Sequence, residues 1–200
     1  MEQPLVEAAL AYAAEGIPVL PLHHPPLDGG HRPDRQHAAK CSCDRLHCLQ
    51  AAEHPLMPGG VGGAIEPATI QAWWQRHPNA NIGLATGVRF DVLDVDAETG
   101  PVGLARLEDQ AVPVGPLART GSGRWQFFTV PSGQPSRILW GPSSRHAVRW
   151  HSRGGFAVAP PSRHPGGAVA QWVRPLATPL PDQRPLVHEL LAARNAHGAA

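Results

Sequence analysis

Lysine is almost absent from this 200-residue chain: Lys40 stands alone beside 16 arginines. No apolar run approaches the ~20 residues of a membrane span, and the N-terminus lacks a basic segment followed by an apolar one, so the chain is read as cytoplasmic with no membrane partner. Cysteine is confined to Cys41, Cys43 and Cys48. An odd number of thiols crowded together argues against a disulfide framework. Acid is scarce in the second half, where residues 110–200 hold ten arginines against Asp182 and Glu189, a net +8; residues 1–109 hold 7 basic and 14 acidic residues, a net −7. Such a split fits a triphosphate or a nucleic-acid backbone lying between the halves, although an arginine bias also arises from the base composition of a genome. Proline (23) and glycine (21) are in excess. Short elements and many turns follow, which favours an α+β fold over a helical bundle.

The most informative stretch runs from Val88 to Glu98. Its apolar and β-branched residues between Gly87 and Gly100 predict a buried strand. Strand alternation puts Asp94 and Asp96 on one face and Asp91 on the other. Two like charges on one face repel unless something positive lies between them, and an oxygen-seeking divalent cation is one solution. Asp-x-Asp pairs also arise by chance in a chain with 8 aspartates.

Around this strand the pattern predicts a helix over 4–15 stopped by Gly16, a strand over 17–22, a helix over 66–77 that begins at a proline, and a strand over 81–87 paired with 88–96 through Gly87. Trp73 and Trp74 are read as packing residues. A short helix is expected over 102–111, strands over 124–130, 146–150, 155–160 and 168–173, and a closing helix over 184–195. Residues 23–63 show no periodicity, and so long a loop needs an anchor. Cys41, Cys43, Cys48 and His54 supply one, because three reduced thiols and an imidazole suit closed, structural, tetrahedral zinc; His37 or His47 could replace His54. Thr120-Gly121-Ser122-Gly123 opens a strand whose alternation puts Arg124, Gln126 and Phe128 on one face, where turn N–H groups could approach a phosphate.

Taken in order, Ala9–Tyr12 with Pro18–Leu22, the Cys-Ser-Cys…Cys…His-Pro loop, Ile70…Trp73-Trp74…Pro78–Gly87, Val92–Asp96, Thr120–Gly123 and Gly154–Ser162 resemble the bifunctional DNA primase/polymerase domain of the archaeo-eukaryotic primase superfamily. The resemblance covers roughly 5–175. It implies an α/β module joined to an RNA-recognition-motif-like antiparallel sheet, with the active site between them. One domain over 1–180, with the zinc loop 37–58 inserted, would then precede a C-terminal helix and tail over 181–200.

The same resemblance implies that Asp94 and Asp96 are the catalytic pair that holds Mg²⁺ or Mn²⁺ for nucleotidyl transfer onto DNA from nucleoside triphosphates. At the position of the family's second-motif histidine stands Gln126, which donates a hydrogen bond but carries no charge, so triphosphate binding leans on Arg124. A further family carboxylate falls between Ser143 and Gly155, where this chain has no Asp or Glu; the candidate positions are Ala147 and Arg149. Ser122, Arg124, Gln126, Arg149 and Arg153 are thus expected to contact nucleotide or DNA. The implied partners are a DNA template or primer, nucleoside triphosphates and a separate helicase or replication protein. Two alternatives stay open: a catalytically impaired relative that binds nucleotide or DNA as an accessory replication protein, and a zinc-stapled interaction module.

Overall fold

A computed structural model describes residues 4–26, 41–45, 47–57, 62–140 and 148–197. The chain divides into two compact units, the first built from Met1–Ala85, Thr120–Ser122 and Val158–Gln171, the second from Thr86–Arg119, Gly123–Ala157 and Trp172–Ala200.

The first unit opens with helix α1 (Leu5–Ala14), which buries Leu5, Ala8, Ala9 and Ala13 along one stripe. Gly16, at a φ of +74°, ends it by donating to the Ala13 carbonyl. Strand β1 (Val19–Leu22) follows, then α2 (Pro67–Arg76), where Pro67 occupies the first turn and Ile70 and Trp74 are buried. Strand β2 (Asn81–Ala85) pairs antiparallel with β1, Val19 opposite Leu84 and Leu22 opposite Asn81. With β8 (Phe156–Ala159) they form a three-stranded sheet in the order β1-β2-β8. Both β1 and β2 are buried on both faces, which explains why they read as continuous apolar runs rather than as alternation.

The second unit holds a six-stranded sheet in the order β6-β7-β3-β5-β4-β9. Its strands are β3 (Asp91–Val95), β4 (Leu117–Arg119), β5 (Trp125–Thr129), β6 (Arg137–Trp140), β7 (Val148–His151) and β9 (Gln171–Arg174). Helices α3 (Thr99–Asp109) and α4 (Gln183–His197) supply Leu107, Leu186 and Leu190 to a core completed by Leu93, Val95, Phe127 and Trp150. All of these strand residues lie on the sheet face opposite Asp94.

One sequence expectation is corrected here. Residues 81–87 and 88–96 do not form a hairpin: β2 pairs with β1, while β3 pairs with β5 on one side and β7 on the other. The reason is the character of β3, which is buried along its whole length and needs two neighbours to satisfy its backbone. Gly87 still makes a turn, its N–H donating to Phe90 O at 2.8 Å with φ at +83°, but a Cβ there would lie 2.4 Å from the main-chain nitrogen of Arg153. Residues 86–90 therefore cross from one sheet to the other. Strands β4 and β6 were not expected from the sequence. Among the described residues no helix is long and apolar enough to cross a membrane.

Candidate metal centre and the Asp94 face

In the first unit, Cys41, Cys43, Cys48 and His54 bring their ligand atoms within 4.8 Å of one another. Cys41 Sγ lies 3.4 Å from His54 Nε2 and accepts the Ala52 N–H at 3.2 Å. Such a sulfur, already oriented by a backbone donor, is suited to a metal bond. Two residues take left-handed backbone to close the loop, Asp44 (φ 56°) and Ala52 (φ 65°). The loop is tied to β1 by His23 N–H to His54 O (2.9 Å) and Leu56 N–H to Pro21 O (3.0 Å). The His23 and His54 rings stack with centroids 4.2 Å apart, and Ser42 Oγ lies 2.8 Å from His23 Nδ1. Burial pushes the Cys41 thiol up to about 12 and lowers His54. A buried thiol of that kind needs a cation beside it to ionise, and the Cys₃His set could hold zinc. His47 is exposed and is not part of the group; His37 lies outside the described residues.

In the second unit, β3 sets Asp94 opposite Gln126 of β5 and Arg149 of β7. Residues directly opposite in antiparallel strands share a face. Asp94 is 5 % exposed. Arg124, just before β5, ion-pairs through Nε with Asp94 Oδ1 and donates from Nη2 to the Asp94 main-chain oxygen at 3.2 Å. His151 Nε2 stands 3.6 Å from Oδ2. Burial alone would raise the Asp94 carboxyl, but the charges of Arg124, His151 and Arg149 outweigh it and hold the group below the usual carboxylate value.

Asp96 lies one residue beyond the end of β3. Its Oδ1 accepts the N–H groups of Glu98 (3.1 Å) and Thr99 (2.7 Å), satisfying donors of the first turn of α3. That cap starts α3 at Thr99, earlier than the apolar spacing suggested. Its Oδ2 is buried without a hydrogen bond, with Arg194 Nε of α4 4.0 Å away. Asp91 faces the other way, as alternation requires: its Oδ2 accepts Trp150 Nε1–H at 3.0 Å and Ser132 N–H at 2.8 Å.

The structure thus brings Arg124, Gln126 and Arg149 to Asp94. Arg153 is exposed, beyond β7, where its main chain bonds to Gln134 and Ser136. Ser122 belongs to the first unit, its Oγ 2.8 Å from Thr120 Oγ1. Ala147 lies outside the described residues. His151 was not singled out from the sequence, although its spacing of two from Arg149 would have put both on one face. Arg194 carried no such signal, being 98 positions from Asp96. Around Asp94, then, stand a neutral amide, two guanidinium groups and an imidazole, and no carboxylate occupies the Gln126 or Arg149 position. That set suits an anion better than a pair of divalent cations, which would be repelled by arginines so close.

The family model for the N-terminal domain of bifunctional DNA primase/polymerase matches residues 9–183. No curated protein matches the chain.

Proposed function

The chain belongs to the bifunctional DNA primase/polymerase N-terminal family, and we propose that it is a member that binds the phosphates of a nucleotide or of DNA through Arg124, Arg149 and His151. The observation that carries this reading is the ion pair of Arg124 with buried Asp94, in register with Arg149. In this reading Asp94 is a counter-charge that holds the arginines in place, and an incoming phosphate competes with it for Arg124. Guanidinium groups bind phosphate oxygens through paired N–H donors, so the exchange substitutes one charge-assisted contact for another. Gln126 adds a neutral donor where a histidine would add charge. The six-stranded sheet is the counterpart of the family's RNA-recognition-motif-like sheet, and zinc at Cys41, Cys43, Cys48 and His54 is structural.

A second reading, metal-dependent priming or extension of DNA, is favoured by one feature: the buried Asp96 Oδ2 has no hydrogen-bond partner. With Arg124 drawn off by a triphosphate, Asp94 and Asp96 would be the carboxylates left to hold Mg²⁺ or Mn²⁺. Two assays on the purified chain separate the readings. The first measures binding of tripolyphosphate, a deoxynucleoside triphosphate and single-stranded DNA without divalent metal; the second incubates primed template with deoxynucleoside triphosphates and Mn²⁺. Binding without extension supports the first reading and extension supports the second. No binding of any of the three ligands would overturn the first.

A further inference from the structure

The row of residues through Asp94 continues beyond Arg149. Register pairs Arg149 of β7 with Ile138 of β6, and Gln126 of β5 with Ala118 of β4, so Ile138, Arg149, Asp94, Gln126 and Ala118 lie in one line across five strands on one face. Exposure falls steadily along the line: Ile138 is 51 % exposed, Arg149 is half-buried, Asp94 is 5 % and Gln126 1 % exposed, and Ala118 is fully buried. The line therefore opens at the β6 edge and closes inward. An anion reaching Arg149 and Arg124 along it passes over Ile138.

An isoleucine exposed at that mouth buries little of its side chain within the fold itself. Its neighbour Leu139 packs against the core on the opposite face, so Ile138 is the outward residue of its strand, at a sheet edge where charge is the usual protection. It adds nothing to phosphate binding. It would bury apolar surface against a base or a sugar. From β6 to β3 is two strand spacings, about 10 Å, which is comparable with one nucleoside triphosphate laid with its base outward and its phosphates inward. A continuous strand would need an exit at the far end, and there the line ends in buried Gln126 and Ala118.

We propose that Ile138 is the base-contacting residue of a nucleoside triphosphate site whose phosphates lie between Arg149 and Arg124. The proposal rests on the phosphate-binding reading above, and the test keeps the two apart. Calorimetric titrations of dATP and of inorganic tripolyphosphate are run, without divalent metal, on the wild-type chain, Ile138→Ala and Ile138→Val. Wild type should bind dATP more tightly than tripolyphosphate. Ile138→Ala should weaken dATP about five- to tenfold, as losing the burial of most of one aliphatic side chain implies, and move tripolyphosphate by less than about twofold. Ile138→Val should lose only a fraction of that. If both ligands bind wild type and Ile138→Ala leaves dATP unchanged, or weakens both ligands alike, the assignment of Ile138 is wrong while the phosphate site stands. If neither ligand binds wild type, the phosphate site and the assignment fall together.

Discussion

Arg124 spans thirty positions of sequence to ion-pair with Asp94, and the pair is largely buried, with side chains 11 % and 8 % exposed. A buried charge that loses its partner is far more costly than a buried pair replaced by neutral groups, because desolvation remains when the attraction is gone. The two carboxylates that looked equivalent in the sequence therefore have different surroundings. Asp94 is held by side-chain cations, Asp96 chiefly by the backbone of α3.

Arg124→Ala should destabilise the fold by about 3–5 kcal/mol, the range for removing one partner of a buried ion pair. The double variant Arg124→Ala/Asp94→Asn should recover part of that loss. Urea unfolding of wild type, both single variants and the double variant measures the coupling; additive losses would show that the two side chains act independently.

The pH dependence of stability carries the same information. The folded Asp94 carboxyl sits below its ordinary value of 3.8. Its contribution is therefore complete above pH 3.8 and is lost as the pH falls through the lower folded value. Thermal unfolding of wild type should drop over that acid window more steeply than that of Asp94→Asn, and the difference between them should narrow toward the acid end. Parallel curves would mean that Asp94 is not held by its arginines.

Chelator-free protein should carry about one zinc per chain at the Cys₃His group. Removing it, or making Cys48→Ser, should lower the unfolding temperature and render the loop around residues 41–54 sensitive to protease, because metal binding and folding of such a loop are coupled. The strands around Asp94 belong to the second unit and should keep their amide-exchange protection. Folded protein purified without metal, of unchanged melting temperature, would exclude the structural role.

Gly100 lies against Trp125, and a Cβ added there would sit 2.2 Å from the indole Cγ. Gly100→Ala should therefore cost about 1–3 kcal/mol through overpacking. Gly154, at a φ of +79°, has nothing within 4 Å of an added Cβ, so its alanine variant meets only backbone strain of about 1–2 kcal/mol. Indole fluorescence should report a changed Trp125 environment in Gly100→Ala alone.

Binding of tripolyphosphate should weaken as salt is added, because salt screens partly exposed charges. Arg149→Ala should weaken that binding and flatten the slope of log affinity against log salt. An unchanged slope would remove Arg149 from the phosphate contacts.

Local order in the chain determined much of this molecule. Helix-forming runs with a start or stop residue, Pro67 for α2 and Gly16 for α1, mark two of the helices, and the thiols of residues 41–48 with His54 mark the group that could hold a metal, because these side chains are close in sequence. The alternation of β3 separated Asp91 from Asp94 correctly, since it depends on backbone geometry alone. Pairing was different. Nothing near Asp94 indicates that Arg149, 55 positions later, would stand opposite it, that Ile138 would extend the line to the sheet edge, or that β2 would join β1 instead of turning back onto β3. Register is decided by burying whole faces at once, and a strand buried on both sides, such as β3, is compatible with several partners until the helices and the other strands have been placed. The charge around Asp94, and with it the chemistry of that face, was settled only at that stage.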